Sequence, residues 1–234
     1  MRHVLLLSVF LILMNCEDKQ SKNKNINNAV ETKEKSIEND TSKEVASENE
    51  YPILDDENAV PFFSEYDKKN KENKVRIITD FGDIEILLYN DTKYHRSNFI
   101  YLTKRHYFDD TQFYRVINNF VVQAGNSDDK KIGQKRVKIG RYLLPPDTKK
   151  GYKHNRGVIS MPSSDVENPH KLASPFEFFI VQQHGGAHFL DGDYTIFGEV
   201  TKGMDVVDKM AAVKTDDSDW PLENIYIRKV EIIE

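Results

Sequence analysis

Between Val75 and Ile233 apolar and polar positions alternate in short runs, the two-residue period of half-buried strands. Val75–Thr79 and Ile84–Tyr89 flank the Gly-containing turn of "VRIITDFGDIEILLY" and predict a β-hairpin. "FYRVINNFVVQAG", Phe113 to Gly125, supplies two further strands, and 157–161, 176–181, 194–200 and 225–233 supply four more. Two stretches switch to a helical period. One is "DTKYHRSNFIYLTKRHYF", with Asp91 or Thr92 as N-cap and Phe99, Leu102 and His106 at helical spacing; the other is "KGMDVVDKMAAV", with Met204, Val207 and Met210 on one face. The Lys/Gly/Pro-rich section 127–156 reads as loop. Eight strands suit a sheet closed into a barrel filled by side chains, with two helices over its open ends, and a flattened sandwich fits the same count.

Upstream the pattern is different. "MRHVLLLSVFLILMNC" sets Arg2 before an apolar run from Val4 to Met14. The run falls short of the ~20 residues that span a bilayer and has the length of a signal-peptide core. Cys16, the one cysteine of the 234-residue chain, follows directly, so no internal disulfide can form. The arrangement resembles a bacterial lipoprotein signal with "LMNC" as the lipobox, which implies removal of 1–15 and lipidation of Cys16. Several acyl chains on one residue anchor stably where one is marginal. The expected location is the cell envelope, on the periplasmic side of a bacterial membrane or at the cell surface. Within 16–50 the apolar residues are too few to offset ordering entropy, which predicts a disordered tether. Residues 51–73 read as an N-terminal extension with Ile53, Leu54, Phe62 and Phe63 as anchors among breakers, and 74–234 as the functional domain.

A net charge of −5 with scattered Lys and Arg excludes a broad nucleic-acid footprint. The domain has no cysteine nucleophile, and "GVISM" is not a G-x-S-x-G elbow because Met161 holds the last place. His184 and His188 have metal-pair spacing, but Gly185-Gly186 between them opposes a helix, so no metal or other cofactor is expected. What remains is Arg115 in one apolar strand and Gln123 in the next. With a three-residue turn over Asn118-Asn119-Phe120 they face each other, with Ile117 and Val121 on the same face; a two-residue turn sets Arg115 opposite Val122 instead. The first arrangement is a cationic donor, an amide and an apolar hollow on one surface. The plainer reading is an arginine that lays its stem on the barrel and pairs its head with a carboxylate.

"FYRVINNFVVQAG" resembles the cyclophilin signature, Phe-x-Arg-Val-Ile followed by Phe-x-x-Gln, and "RGVISM", "FFIV" and "FLDGDYTIFGEV" agree with that family in order and spacing. The resemblance implies a peptidyl-prolyl cis-trans isomerase on a closed eight-stranded antiparallel β-barrel capped by two α-helices. It would act on proline-containing unfolded or flexible polypeptides, here during folding of exported proteins. It makes Arg115 the catalytic arginine and Gln123 its orienting amide. It assigns Phe120, Val121 (for the usual methionine), Phe179 and Leu190 to the proline pocket. Phe189 and Tyr194 stand where many eukaryotic members have Trp and His, as in a bacterial envelope branch. Ser163 would contact substrate through its backbone. Glu177 takes the place of a glutamine and is expected to pair with Arg115, while Pro162 removes a backbone donor from the binding loop. Those two departures give the alternative: a weakly catalytic or non-catalytic Pro-peptide-binding or chaperone module on the same scaffold.

The chemistry accounts for such a residue set. A peptide bond resists rotation by roughly 18–20 kcal/mol of amide resonance. As it twists, the prolyl nitrogen regains its lone pair, and a donor aimed there stabilises the twisted state alone. A guanidinium suits the task because it keeps its proton and offers a rigid fork.

Overall fold

The computed structural model describes residues 51–163 and 168–234; the apolar N-terminal run, Cys16 and the tether lie outside the described residues. The chain runs through β1 (Leu54–Asp55), α1 (Ala59–Lys69), β2 (Lys74–Thr79), β3 (Gly82–Leu88), α2 (Lys93–Lys104), β4 (Gln112–Ile117) and β5 (Val121–Asn126). There follow α3 (Lys130–Ile139), β6 (Gly140–Arg141), β7 (Val158–Ser160), β8 (Phe178–Val181), β9 (Ile196–Lys202), α4 (Met204–Ala211) and β10 (Ile225–Ile232). Eight strands close into an antiparallel barrel in the order β10-β2-β3-β9-β7-β8-β5-β4, which decides against the sandwich. Closure leaves no free sheet edge.

Burial along β2 and β3 alternates as the pattern requires, with Val75, Ile77, Ile84, Ile86 and Leu88 inside. α2 lays Phe99 on Phe108, ring centroids 4.7 Å apart, and edge-on to Phe178 at 5.5 Å. Val207 and Met210 of α4 are fully buried. His106, expected on α2, falls past its end in a left-handed turn (φ +52°) and is exposed at its side chain. Among the described residues no helix is long and apolar enough to cross a bilayer.

Two helices go beyond the expected pair. α1 escapes a periodicity reading because Pro61 looks like a breaker; it sits in the first turn, where its missing N–H costs nothing. The helix packs on α2 through Phe63, which is fully buried, and through an ion-pair cluster. Arg96, 1% exposed, donates Nη2 to Asp67 and Nη1 to the carbonyls of Asn70 (3.2 Å) and Glu72 (3.0 Å). Burial pushes the Asp67 carboxyl up, but hydrogen bonds from Lys71 and Ser97 and the Arg96 charge outweigh it and hold it below its ordinary value.

α3 corrects the loop expected over 127–156. Its sequence, "KKIGQKRVKI", buries only Ile132 and Ile139 and carries a mid-helix glycine, so the apolar stripe is faint. Polar docking replaces it. Asp129 caps the first turn by accepting from the Lys131 N–H at 2.8 Å. Lys135 Nζ donates to the carbonyls of His106 (2.9 Å) and Asp109 (2.6 Å). Gly140 ends the helix at φ +129°, and β6 pairs there in parallel with β1; a Cβ at 140 would lie 1.9 Å from the Leu54 carbonyl oxygen. Only glycine fits.

Candidate functional site

The β4–β5 hairpin takes the three-residue turn. Ile117 pairs with Val121, Val116 with Val122 and Arg115 with Gln123, while Asn119 adopts the left-handed conformation (φ +54°) that asparagine tolerates. A bulge then intervenes, because Phe113 pairs with Ala124 and leaves Tyr114 without a direct partner in register. Strict alternation would send Tyr114 to the opposite face from Arg115; the extra residue re-aims it, and both side chains line the same cavity.

That cavity has a volume of about 750 Å³. One wall is apolar: Phe120, Val121, Phe179 and Leu190, with Tyr194 edge-on to Phe179 at 5.9 Å. These residues form a small cluster of their own with Val158, Val181, Ala187 and Ile196, separate from the main core. Ser163, Pro162 and Ser174 close one side through backbone links, Ser163 bridging Ala173 and Ser174 N–H donating to the Pro162 carbonyl at 2.8 Å. Phe189 does not line the hollow. It is 68% exposed and stacks on Phe120 at 5.4 Å, which places it outside the rim.

The opposite wall is polar: Arg115, Gln123, Tyr114 and Glu177. Two expectations are corrected here. Glu177 does not pair with Arg115; it accepts from Tyr114 Oη at 3.0 Å and from Arg136 Nη2 of α3 at 3.2 Å. Gln123 does not bond Arg115 either; its Nε2 donates to Tyr114 Oη. The partner of Arg115 is Asp219, with Nε to Oδ2 at 3.3 Å. Asp219 lies in the loop between α4 and β10, and Asp216 shapes that loop by accepting from the N–H groups of Ser218 (2.8 Å) and Trp220 (2.9 Å). The Asp219 carbonyl accepts from Val116 N–H at 2.8 Å and ties the loop to β4. Both side chains of the pair are 39% exposed, so the contact adds little stability. The contact falls on Nε, the inner nitrogen of the guanidinium.

Sequence reading missed Tyr114, Arg136 and Asp219. A bulge, a helix with a faint stripe and an irregular loop bring them in, and none of these has a periodic signature. Burial, reinforced by the Glu177 charge, pushes the Tyr114 hydroxyl far above its ordinary value, so it serves as a donor at any working pH.

Behind the apolar wall lies a third group. The His154 ring is nearly parallel to Phe179 (6.1 Å, 13°), its Nδ1 lies 2.9 Å from Asp191 Oδ1 and its Nε2 lies 3.3 Å from Ser160 Oγ. Burial pushes the His154 imidazole below its ordinary value despite the opposing pull of Asp191. The trio has the residue types of a hydrolytic triad, but Ser160 is fully buried and donates to the Thr195 carbonyl at 2.8 Å, so no substrate carbonyl can reach it. The constellation supports the wall and performs no covalent step.

Comparison with known proteins agrees with this geometry. The family model described as cyclophilin type peptidyl-prolyl cis-trans isomerase/CLD matches residues 74–232. A peptidyl-prolyl cis-trans isomerase of Dictyostelium discoideum is 36% identical over 68% of this chain and 96% of its own length. Peptidyl-prolyl cis-trans isomerase-like 2 of Rhizopus delemar is 35% identical over 71% of this chain, which spans only 30% of that longer protein. The crystal structure of a cyclophilin type isomerase of Cryptosporidium parvum, solved in the presence of the dipeptide Ala-Pro, superposes with a TM-score of 0.56 at 25% identity, covering 69% of this chain and 99% of that one.

Proposed function

This chain belongs to the cyclophilin-type peptidyl-prolyl cis-trans isomerase family, and we propose that it turns the X-Pro bonds of exported polypeptides while held by a lipid on Cys16 in a bacterial cell envelope. The reaction makes and breaks no covalent bond. The guest proline sits against Phe120, Val121, Phe179 and Leu190, and the backbone of the 162–163 segment aligns the flanking chain. The terminal nitrogens of Arg115 face the prolyl nitrogen as the amide leaves planarity. The hydrogen bond formed there exists only in the twisted state, which is the condition for lowering the barrier. Gln123 and Asp219 hold the polar wall in place around it.

One observation carries the reading: a guanidinium whose Nε is engaged by Asp219 lines the same cavity as a compact apolar cluster. The test is cis-to-trans conversion of a Pro peptide by the full chain, alongside Arg115→Ala. Loss of one charge-assisted bond in a sheltered site should lower kcat/KM by about 10²–10³-fold. Equal rates in the two proteins would refute the assignment.

The envelope location rests on the basic start, the apolar run Val4–Met14 and the lone Cys16 behind it. Cys16→Ser should move the protein from the membrane fraction to the soluble one, and continued membrane association would count against lipidation.

A further inference from the structure

The polar wall contains a chain of hydrogen bonds whose direction is set at its far end. Arg136 has donors only, and it meets the Glu177 carboxylate at 3.2 Å. Its guanidinium is fixed from other sides as well: Nε donates to Tyr107 Oη at 2.8 Å, Nη2 donates to the Gly125 carbonyl at 3.2 Å, and the Phe176 ring lies 5.1 Å from its centre. A carboxylate held by a cation has only acceptor sites, so Tyr114, 3.0 Å from Glu177 Oε2, must spend its single proton there. The Tyr114 oxygen can then only accept from its other neighbour, the Gln123 amide. That amide must turn its NH₂ end to Tyr114, as observed, and its carbonyl end is left to accept from the cavity side.

We propose that Arg136, on a helix with no part in the catalytic face, is a positioning residue for the isomerase: by fixing the Glu177 carboxylate beside Tyr114, it dictates through Tyr114 which end of the Gln123 amide the substrate and Arg115 meet. Glutamate at 177 is thereby explained. With glutamine there, the side chain could donate or accept, Tyr114 could reverse its hydroxyl, and the Gln123 amide would have two seatings of similar energy. The pair Arg136–Glu177 selects one. Gly125 is part of the same device, since a Cβ there would meet the Phe176 carbonyl oxygen at 2.2 Å and displace the strand whose carbonyl Arg136 grips.

The inference rests on the isomerase reading for its consequence but not for its test. The test is the side-chain NH₂ signal of Gln123 in the ¹⁵N-labelled full chain without substrate, identified by its loss in Gln123→Ala. In the parent protein one of the two amide protons should be shifted and protected by Tyr114. Arg136→Met, which keeps the packing on Phe176 but removes the charge, and Tyr114→Phe should each abolish that signature. Each should lower kcat by about three- to tenfold with KM little changed, the worth of one misplaced hydrogen bond. Because both act along one chain, the double variant should be no slower than the slower single one. Adding Glu177→Gln to Arg136→Met should not restore the signature, since a neutral amide can donate as well as accept and no longer sets the direction of the Tyr114 hydroxyl. An unchanged Gln123 signature in Arg136→Met, or rate losses that multiply in the double variant, would overturn the proposal. If the parent protein proves inactive, the isomerase reading falls and the Gln123 spectrum still decides whether the chain is polarised.

Discussion

The two walls of the cavity are built on different principles. The apolar wall is short-range and redundant: Phe120, Val121, Phe179 and Leu190 belong to one cluster, and the strands β5 and β8 that carry much of it pair directly. The polar wall is long-range and singular. Arg115 depends on a carboxylate 104 positions later in the chain, at Asp219, and Glu177 on a guanidinium from α3. An apolar wall tolerates shape changes because dispersion contacts are many and weak. A polar wall fails at one atom, because each donor has one destination.

The contrast predicts opposite kinetic signatures. The largest effect belongs to Arg115→Lys, where charge survives but the fork does not: kcat should drop by roughly 10²-fold with KM nearly unchanged, since the lost contact forms only in the twisted state. Retention of parental kcat would show that charge alone suffices. Phe179→Ala should do the reverse, raising KM by about tenfold or more with a smaller change in kcat, because the ring binds planar and twisted prolines alike. A fall confined to kcat would erase the distinction between the walls. Asp219→Asn keeps the size and an acceptor while removing the charge, and should cost about three- to tenfold in kcat with the melting temperature almost unaltered, as for a half-exposed pair.

The smallest effect is that of pH on the two walls. Burial depresses His154 behind Phe179, so its imidazole is neutral at pH 7 and kcat/KM should vary less than about twofold between pH 7 and 8.5. Stability is another matter. His95, fully buried with neither ring nitrogen bonded among the described residues, is pushed by burial down to about 3. In the unfolded chain a histidine binds its proton below about pH 6.5, so the unfolded state gains protons that the fold refuses. The stability held above pH 6.5 should therefore drain away as pH falls toward 3, by a few kcal/mol in urea titrations. His95→Leu should flatten that slope; an unchanged slope would move the burden to His154 and the carboxylates.

Sequence alone disclosed the walls unequally. All eight barrel strands were legible because alternation is a local property, and the turn that pairs Arg115 with Gln123 was one of two options written in "INNF". The apolar lining came with the family resemblance, which assigned Phe120, Val121, Phe179 and Leu190 to the pocket. The partners of the polar groups were not legible. Tyr114 reaches the cavity by a bulge that breaks the two-residue rule, Arg136 rides a helix docked by Lys135 and Asp129 in place of an apolar stripe, and Asp219 comes from a loop shaped by Asp216. Glu177 lay in plain view, but its partner did not, and a carboxylate near two arginines chooses by distances that no one-dimensional pattern contains.

The family match begins at Lys74, yet the folding unit begins earlier. Cutting the gene at that similarity boundary would discard Leu54, Ala59, Phe63 and Tyr66 from the interior and strip Arg96 of Asp67 and of the Asn70 and Glu72 carbonyls. A cation so entombed and abandoned costs about 3–5 kcal/mol, a large part of what a domain of this size has to spare. Anyone transplanting the catalytic module into another protein must therefore splice upstream of Tyr51, well before the family match begins.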